Sequence, residues 1–344
     1  MHRAMEPPCA PHELTLPLIL VEQQTKWRMR TTLPEQTELR PSLGQRLHRM
    51  SEARFGLLLL APAALILLLF LAFPLAYAGA MSLFRIELTV SPDWRWAGPG
   101  NYLSVLGERA VRESLARTLA FAALTVGTSV LLALGVALLL NEPFRGRGFA
   151  RVLVLLPWAV APVVAGVLWR YLFHSNYGLV NALLLQAGLI PAYRVWLDSA
   201  PVAITIAALA TAWKTLPFLA LIILARLQSI PESLYRAARM DGAGVLARFR
   251  HVTLPQLRGI LIFAVVMQTI VALQSFDLIF TLTRGGPGQG TVLLSYLVFI
   301  NAFERLSLGQ AAALAALLAL LIVLLGGLAP LLAAGHRRRE ARNE

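Results

Sequence analysis

The chain has 344 residues, of which 57% are hydrophobic and 14% charged, with a formal net charge of +13 and a mean hydropathy of +0.66. Soluble domains carry about 25% charged residues, so this composition excludes a soluble globular domain and describes an integral membrane protein. The basic excess does not describe a nucleic-acid binder either, because Lys and Arg are not interleaved with aromatic side chains in a soluble domain.

Residues 1–54 read as a polar N-terminal tail. Its one apolar run, 14–21, is short, is interrupted by Pro17 and has no small-residue cleavage site after it, so it is no signal peptide. The tail is expected to be poorly ordered, and Met29 or Met50 could be the start of translation. Cys9 is the sole cysteine, which rules out an intrachain disulfide and leaves the redox compartment unread.

Six nearly charge-free runs follow, at 55–84, 118–141, 152–169, 199–225, 259–276 (extending to 283) and 306–336. Each is long enough to span, since crossing the hydrocarbon takes roughly 17–25 helical residues. Prolines recur inside them, at Pro62, Pro74, Pro157, Pro162, Pro201 and Pro217. Such breaks are tolerated where neighbouring helices or a water-filled path satisfy the freed carbonyls. The expected fold class is therefore an all-α membrane protein with a six-span domain at 55–336 and a basic C-terminus at 337–344. The loop after the first span carries Trp94, Trp96 and Gly98-Pro99-Gly100-Asn101-Tyr102; its aromatics either anchor the membrane interface or meet a partner.

Segments 1–54, 142–151, 226–258 and 337–344 together hold 21 Lys and Arg, and the alternate loops 85–112, 171–198 and 284–305 hold 7. Positive residues stay on the cytoplasmic side, so both termini are expected inside a plasma (inner) membrane that the chain crosses several times. The same rule puts residues 229–255 inside. Glu232 to Met240 suits a short helix, Gly242 can take the positive φ of a sharp turn, and Pro255 stands where the next helix could begin.

No chemistry-bearing constellation accompanies the spans. A phosphate-cradling loop needs a Gly before its Lys, and the two lysines, Lys26 and Lys214, lack one. No His or Cys cluster has metal-ligand spacing, so neither a metal site nor catalysis is expected. Polar groups in the fifth span carry more weight, being costly in hydrocarbon. Gln268 and Ser275 lie two helical turns apart on one face, with Gln274, Asp277 and Thr281 on a neighbouring stripe. They either contact a solute or glue helices together. Asp277 and Lys214 are the only charges well inside spans. They can pair with each other, sit near an interface, or, for Lys214, bind an anionic solute; the pair is slightly favoured.

The segment Leu234-Tyr235-Arg236-Ala237-Ala238-Arg239-Met240-Asp241-Gly242-Ala243, with Val252-Thr253-Leu254-Pro255 after it, resembles the cytoplasmic loop of ATP-binding-cassette importer permeases. That pattern is Glu-Ala-Ala, three residues, Gly, nine residues, Ile, one residue, Leu-Pro. Here Ala237, Ala238, Gly242, Leu254 and Pro255 fall on it, Val252 replaces Ile, and Arg236 reverses the charge of the usual Glu. The segments 141–148, Leu156-Pro157-Trp158, 176–181, Trp213-Lys214, 225–231 and Leu282-Thr283-Arg284-Gly285-Gly286-Pro287 extend the likeness over about 55–335, toward the maltose, sugar and glycerol-phosphate branch.

The resemblance implies a type I importer permease fold with a cytoplasmic coupling helix between spans four and five. It implies that Glu232, Tyr235, Arg236, Ala237, Ala238, Asp241, Gly242, Ala243, Leu254 and Pro255 couple the chain to an ATPase, and that amide side chains of the fifth span meet a sugar. The implied partners are a second, similar permease chain, two copies of an ATPase subunit that bind ATP and Mg, an external solute-binding protein, a sugar or polyol solute and the lipid bilayer, without nucleic acid. Solute would move by alternating access. The rival reading is a self-sufficient ion-coupled transporter or channel, which would need intramembrane carboxylates or an internal repeat. Asp277 is its one candidate carboxylate.

Overall fold

The computed structural model describes residues 52–89 and 91–340. The tail up to residue 51, with Cys9, Pro17, Lys26, Met29 and Met50, and the last four residues of the basic C-terminus lie outside the described residues. The chain divides into two units, one ending at Leu65 and one starting at Ile66. The described part of the first belongs to the helix Glu52–Leu67; the packing and the sites below lie in the second.

Helix α1 (Glu52–Leu67) runs through a π turn (Leu68–Ala72) into α2 (Phe73–Met81). Strands β1 (Phe84–Glu87) and β2 (Ser91–Trp96) pair antiparallel, so the all-helical expectation needs a two-stranded hairpin added outside the spans. Then come α3 (Gly100–Gly107), α4 (Arg109–Asn141), α5 (Arg147–Ala159), α6 (Pro162–Leu172), α7 (Leu179–Gln186) and α8 (Ala200–Gln228). Beyond α9 (Glu232–Met240), α10 (Val245–Arg248) passes through a π segment (Phe249–Thr253) into α11 (Leu254–Leu273). Helices α12 (Asp277–Thr283), α13 (Leu294–Phe299) and α14 (Leu308–Glu340) close the chain.

Among the described residues five helical stretches are long and apolar enough to cross a membrane, and a sixth span arises if α5 and α6, bent by 100°, count as one. The bend falls within the third of the apolar runs, at one of the prolines noted there as a break. Val160 and Ala161 adopt extended backbone just before Pro162, the conformation that a following proline imposes. Where proline instead falls inside a continuing helix, the ladder adapts. Pro74 and Pro255 each follow a π turn, in which the amides of Phe73 and Leu254 reach back five residues to Leu68 and Phe249. The fifth span consequently starts at Val245, ten residues before the proline expected to open it.

Apolar packing forms two clusters. One joins Val111, Phe121, Ala207, Leu273, Ile279 and Leu314; the other joins Ala137, Leu140, Leu219, Ile223, Leu257 and Ala264, nearer the 229–244 loop. Small residues let the helices approach closely, as the bilayer gives no hydrophobic drive between them. At Gly166 a Cβ would meet Thr281 Oγ1 and, at 2.7 Å, the Leu278 carbonyl, which seats α6 directly on α12. Between the clusters lies one polar junction: Gln268 Nε2 donates to Ser129 Oγ at 2.9 Å and to Thr215 Oγ1 at 2.8 Å, tying α11 to α4 and α8.

Buried asparagines pin two of the loops between the spans. Asn101 Nδ2 donates to the Ser82 and Phe84 carbonyls, both at 2.8 Å, fixing the hairpin to α3. Asn181 Nδ2 donates to the Arg194 carbonyl at 2.9 Å, while its Oδ1 accepts from Trp196 Nε1 at 2.8 Å. Asn181 belongs to a segment that carried the sequence resemblance and Asn101 to the loop after the first span, and both act as structural fasteners.

Candidate functional site

The 229–255 loop takes its shape from local chemistry. Pro231 precedes α9, where a missing N–H costs nothing, and Glu232 occupies the first turn, where a carboxylate suits the helix dipole. At the other end the Ala243 amide donates to the Ala238 carbonyl at 2.9 Å, and the Gly242 amide to the Arg239 carbonyl at 3.1 Å. That pair of bonds is a Schellman cap, which needs a left-handed residue, and Gly242 has φ +77°. Helix α9 is fastened to the start of the fifth span by Tyr235 Oη and Thr253 Oγ1, 3.0 Å apart. Arg226, at the end of α8, braces the same junction through the Gln256 carbonyl at 3.1 Å and Gln256 Oε1 at 3.2 Å.

Glu232 and Arg239 form an exposed pair at 3.9 Å, and Arg236, Ala237 and Asp241 are exposed beside it. Ala238 and Ala243 are half-buried, and Leu254 and Pro255 sit in the first turn of α11. The tip of the loop exposes three apolar side chains that the sequence reading did not single out: Met240 at 89%, Val245 at 77% and Leu246 at 78%. Met240 precedes the fifth span and Val245 and Leu246 open it, and an exposed apolar cluster at such a place marks a surface that meets a protein or the membrane.

Inside the spans the polar residues separate. Gln268 is 2% exposed and committed to the junction described above, as helix glue. Neither the face shared by Gln268 and Ser275 nor the stripe through Gln274, Asp277 and Thr281 runs along one helix, because α11 ends at Leu273 and α12, which carries Asp277 and Thr281, starts only at Asp277. Within that break the Ser275 carbonyl accepts from Ser295 Oγ at 2.7 Å. Gln274 is exposed and Ser275 half-buried, and neither side chain makes a hydrogen bond among the described residues. Thr281 Oγ1 turns onto its own helix, donating to the Asp277 carbonyl at 2.9 Å.

The expected Asp277–Lys214 pair is absent among the described residues. Asp277 opens α12 beyond the break, with its carboxylate at a helix N-terminus, while Lys214 lies in the middle of α8 beside the Gln268 junction. Lys214 is half-buried and has neither an ion pair nor a hydrogen bond among the described residues. One helical turn further, on the same face, Phe218 stacks on Trp158 with ring centroids 6.2 Å apart and planes inclined by 16°. Trp158 is 55% exposed and Phe218 38%. This tryptophan stands at the end of α5, just before the 100° bend, on a helix that packs against α8. A lysine at mid-span depth costs about 2.5–3.5 kcal/mol against lipid, so this face belongs to a water-accessible path or a partner.

Residues 112–338 match the family model described as "Binding-protein-dependent transport system inner membrane component". This chain belongs to that family. A relative from Thermococcus litoralis, a trehalose/maltose transport system permease protein MalF, is 40% identical over 248 residues, spanning 72% of this chain and 83% of that protein. The sulfoquinovosyl glycerol transport system permease protein SmoG of Agrobacterium fabrum is 37% identical over 266 residues, 77% of this chain and 86% of that one. Among solved structures, a bacterial alginate ABC transporter superposes with a TM-score of 0.69 at 20% identity, covering 80% of this chain and 93% of its counterpart, a likeness of fold. The family is one of inner-membrane transport components served by a binding protein. Membership removes the self-sufficient channel as a rival reading.

Proposed function

We propose that this chain forms half of the translocation path of an ATP-driven importer for sugars or related polyols. It pairs with a second permease chain, two copies of an ATPase subunit that bind ATP and Mg, and an external solute-binding protein. Both termini and the 229–255 loop face the cytoplasm. The observation that carries the reading is the loop itself: a capped helix, fastened to the fifth span through Tyr235 and Thr253, with an uncovered apolar tip at Met240, Val245 and Leu246. A rigid element held at both ends transmits displacement, so closure of an ATPase dimer gripping the tip becomes tilting of α8 and α11.

The solute face is the surface that joins Trp158, Phe218 and Lys214 in the middle of the spans, with Gln274 and Ser275 at the break in the fifth span. Sugars present CH faces that stack on aromatic rings and hydroxyls that exchange water for amide and hydroxyl partners. The relatives' names point the same way, to disaccharides and a glycosyl glycerol.

Two measurements on the reconstituted importer test the reading. Cysteines at Ser233 and Met240, in a chain lacking Cys9, should crosslink to the ATPase subunit. The double substitution Trp158→Ala with Phe218→Ala should abolish ATP-driven trehalose uptake while the ATPase stays bound. Crosslinks confined to the 142–148 loop would end the docking assignment, and normal trehalose or maltose uptake by the double variant would end that of the solute face.

A further inference from the structure

The hairpin between the first two spans carries a continuous row of aromatic rings. The row starts on the span itself, where Phe73 stacks on Tyr77 with ring centroids 6.3 Å apart. Tyr77 meets Trp94 at 6.1 Å, Trp94 meets Phe84 at 5.8 Å, and Phe84 meets Trp96 edge-on at 5.1 Å. Phe84 is half-buried and backs the two tryptophans. The other four rings are open: Phe73 is 66% exposed, Tyr77 49%, Trp94 47% and Trp96 68%.

Strand alternation keeps charge off this face. Phe84 lies opposite Trp96 and Arg85 opposite Arg95, so the rings stand on one side of the hairpin and both arginines on the other. Arg85 is ion-paired with Glu87 at 3.6 Å. The backbone is also fixed in place. Asn101 grips it from α3, the Leu88 amide donates to the Leu306 carbonyl at 3.0 Å, and a Cβ on Gly309 of α14 would collide with the Phe84 carbonyl. Held at three points, the hairpin keeps its rings open instead of folding them away.

The chemistry along the row says what covers it. Phe73 stands about two turns and Tyr77 about one turn before the end of α2 at Met81, roughly 12 Å and 6 Å below it. Trp94 and Trp96 lie beyond that end, on the hairpin. Over this distance the exposed rings change from Phe, wholly apolar, to Tyr and Trp, which carry a polar O–H or N–H. The same gradient runs from hydrocarbon into the headgroup layer, where Tyr and Trp bury their rings and keep the polar edge hydrated. The lower end of the row belongs to a span, so the row begins in the bilayer.

We propose that the ring face of the hairpin rests in the membrane–water interface, with Trp94 and Trp96 among the lipid headgroups and Arg85 and Arg95 turned to the water. The partner is the lipid surface itself, and no particular lipid species is selected. Because the hairpin is tied to α3 and to the start of α14, this contact sets the level of the first and last spans in the bilayer. The inference goes beyond the importer reading and depends only on the chain's crossing a membrane.

The test uses the complex purified from its own membranes and reconstituted in phosphatidylcholine vesicles. Trp94→Cys, Arg95→Cys and Trp96→Cys, each in a Cys9→Ser background, carry a small fluorophore, with a nitroxide lipid and aqueous iodide as quenchers. Labels at 94 and 96 should be quenched by the nitroxide and shielded from iodide, and the label at 95 should show the reverse, so that the ratio of the two alternates with the strand period of two. Intrinsic fluorescence supplies a check without labels: brominated phosphatidylcholine should quench the parent more than the Trp94→Phe, Trp96→Phe double variant, which keeps the stacked rings. Iodide reaching 94 and 96 as freely as 95 overturns the proposal, because the face then meets water. Shielding of 94 and 96 from both quenchers overturns it too, by placing another subunit on the rings, and so does equal lipid quenching of the parent and the double variant.

Discussion

Gly242 offers the sharpest test of how the loop works. Its φ of +77° closes the Schellman cap, yet a Cβ at this position would meet nothing within 4 Å. Substitution therefore acts through the backbone alone. A left-handed conformation costs an ordinary L-residue roughly 1–2 kcal/mol, less for Asn, whose side chain tolerates that region, and more for a β-branched residue. With 1.4 kcal/mol per tenfold change in an equilibrium, Gly242→Ala should lower the population of capped loop about fivefold and Gly242→Val about thirtyfold or more. Gly242→Asn should stay nearest the parent. In the reconstituted importer, ATPase stimulation by the liganded binding protein should fall in the order Gly, Asn, Ala, Val, with membrane insertion unchanged. If Asn were as damaging as Val, space at the ATPase surface rather than backbone conformation would decide, and the cap argument would be refuted.

Two further expectations concern single side chains. Gln268→Leu removes both interhelical hydrogen bonds and strands the Ser129 hydroxyl, while Thr215 keeps its bond to the Thr211 carbonyl, at a cost of about 1–2 kcal/mol; the melting midpoint of the purified chain should drop by several degrees, and an unchanged midpoint would strip Gln268 of its role as glue. At Arg236, exposed on α9, the ATPase groove should offer an acidic or weakly basic surface. Arg236→Glu should then lower complex yield at low salt and recover as salt screens the charges, whereas a variant that assembles and turns over better than the parent would show that the arginine has no matched partner.

The amino-acid order by itself determined where the spans lie, which loops are basic, and how the 229–244 loop folds. Each of these follows from free energies that act over a few neighbouring residues: apolar run length, charge near a span, a proline before a helix and a glycine after it. Even the extent of α9, Glu232–Met240, was readable in this way. The resemblance carried the rest of the fold, because the motifs it rests on are short and local.

Tertiary structure decided what local rules cannot reach. Helical periodicity placed Gln268 and Ser275 on one face, but the chain breaks at 274–276, where the Ser295 hydroxyl holds the Ser275 carbonyl and α12 seats its backbone on Gly166. Gln268 found its partners 139 and 53 residues away, a choice made by the packing of three helices. Among the described residues Lys214 makes no pair with Asp277, the carboxylate that composition suggested, and the break puts Asp277 at the head of a separate helix. The stacking of Trp158 on Phe218 likewise depends on helix neighbours that no sequence window contains. Hydropathy and capping energies are sums over neighbours along the chain; which polar group faces which is set by the rigid-body placement of whole helices.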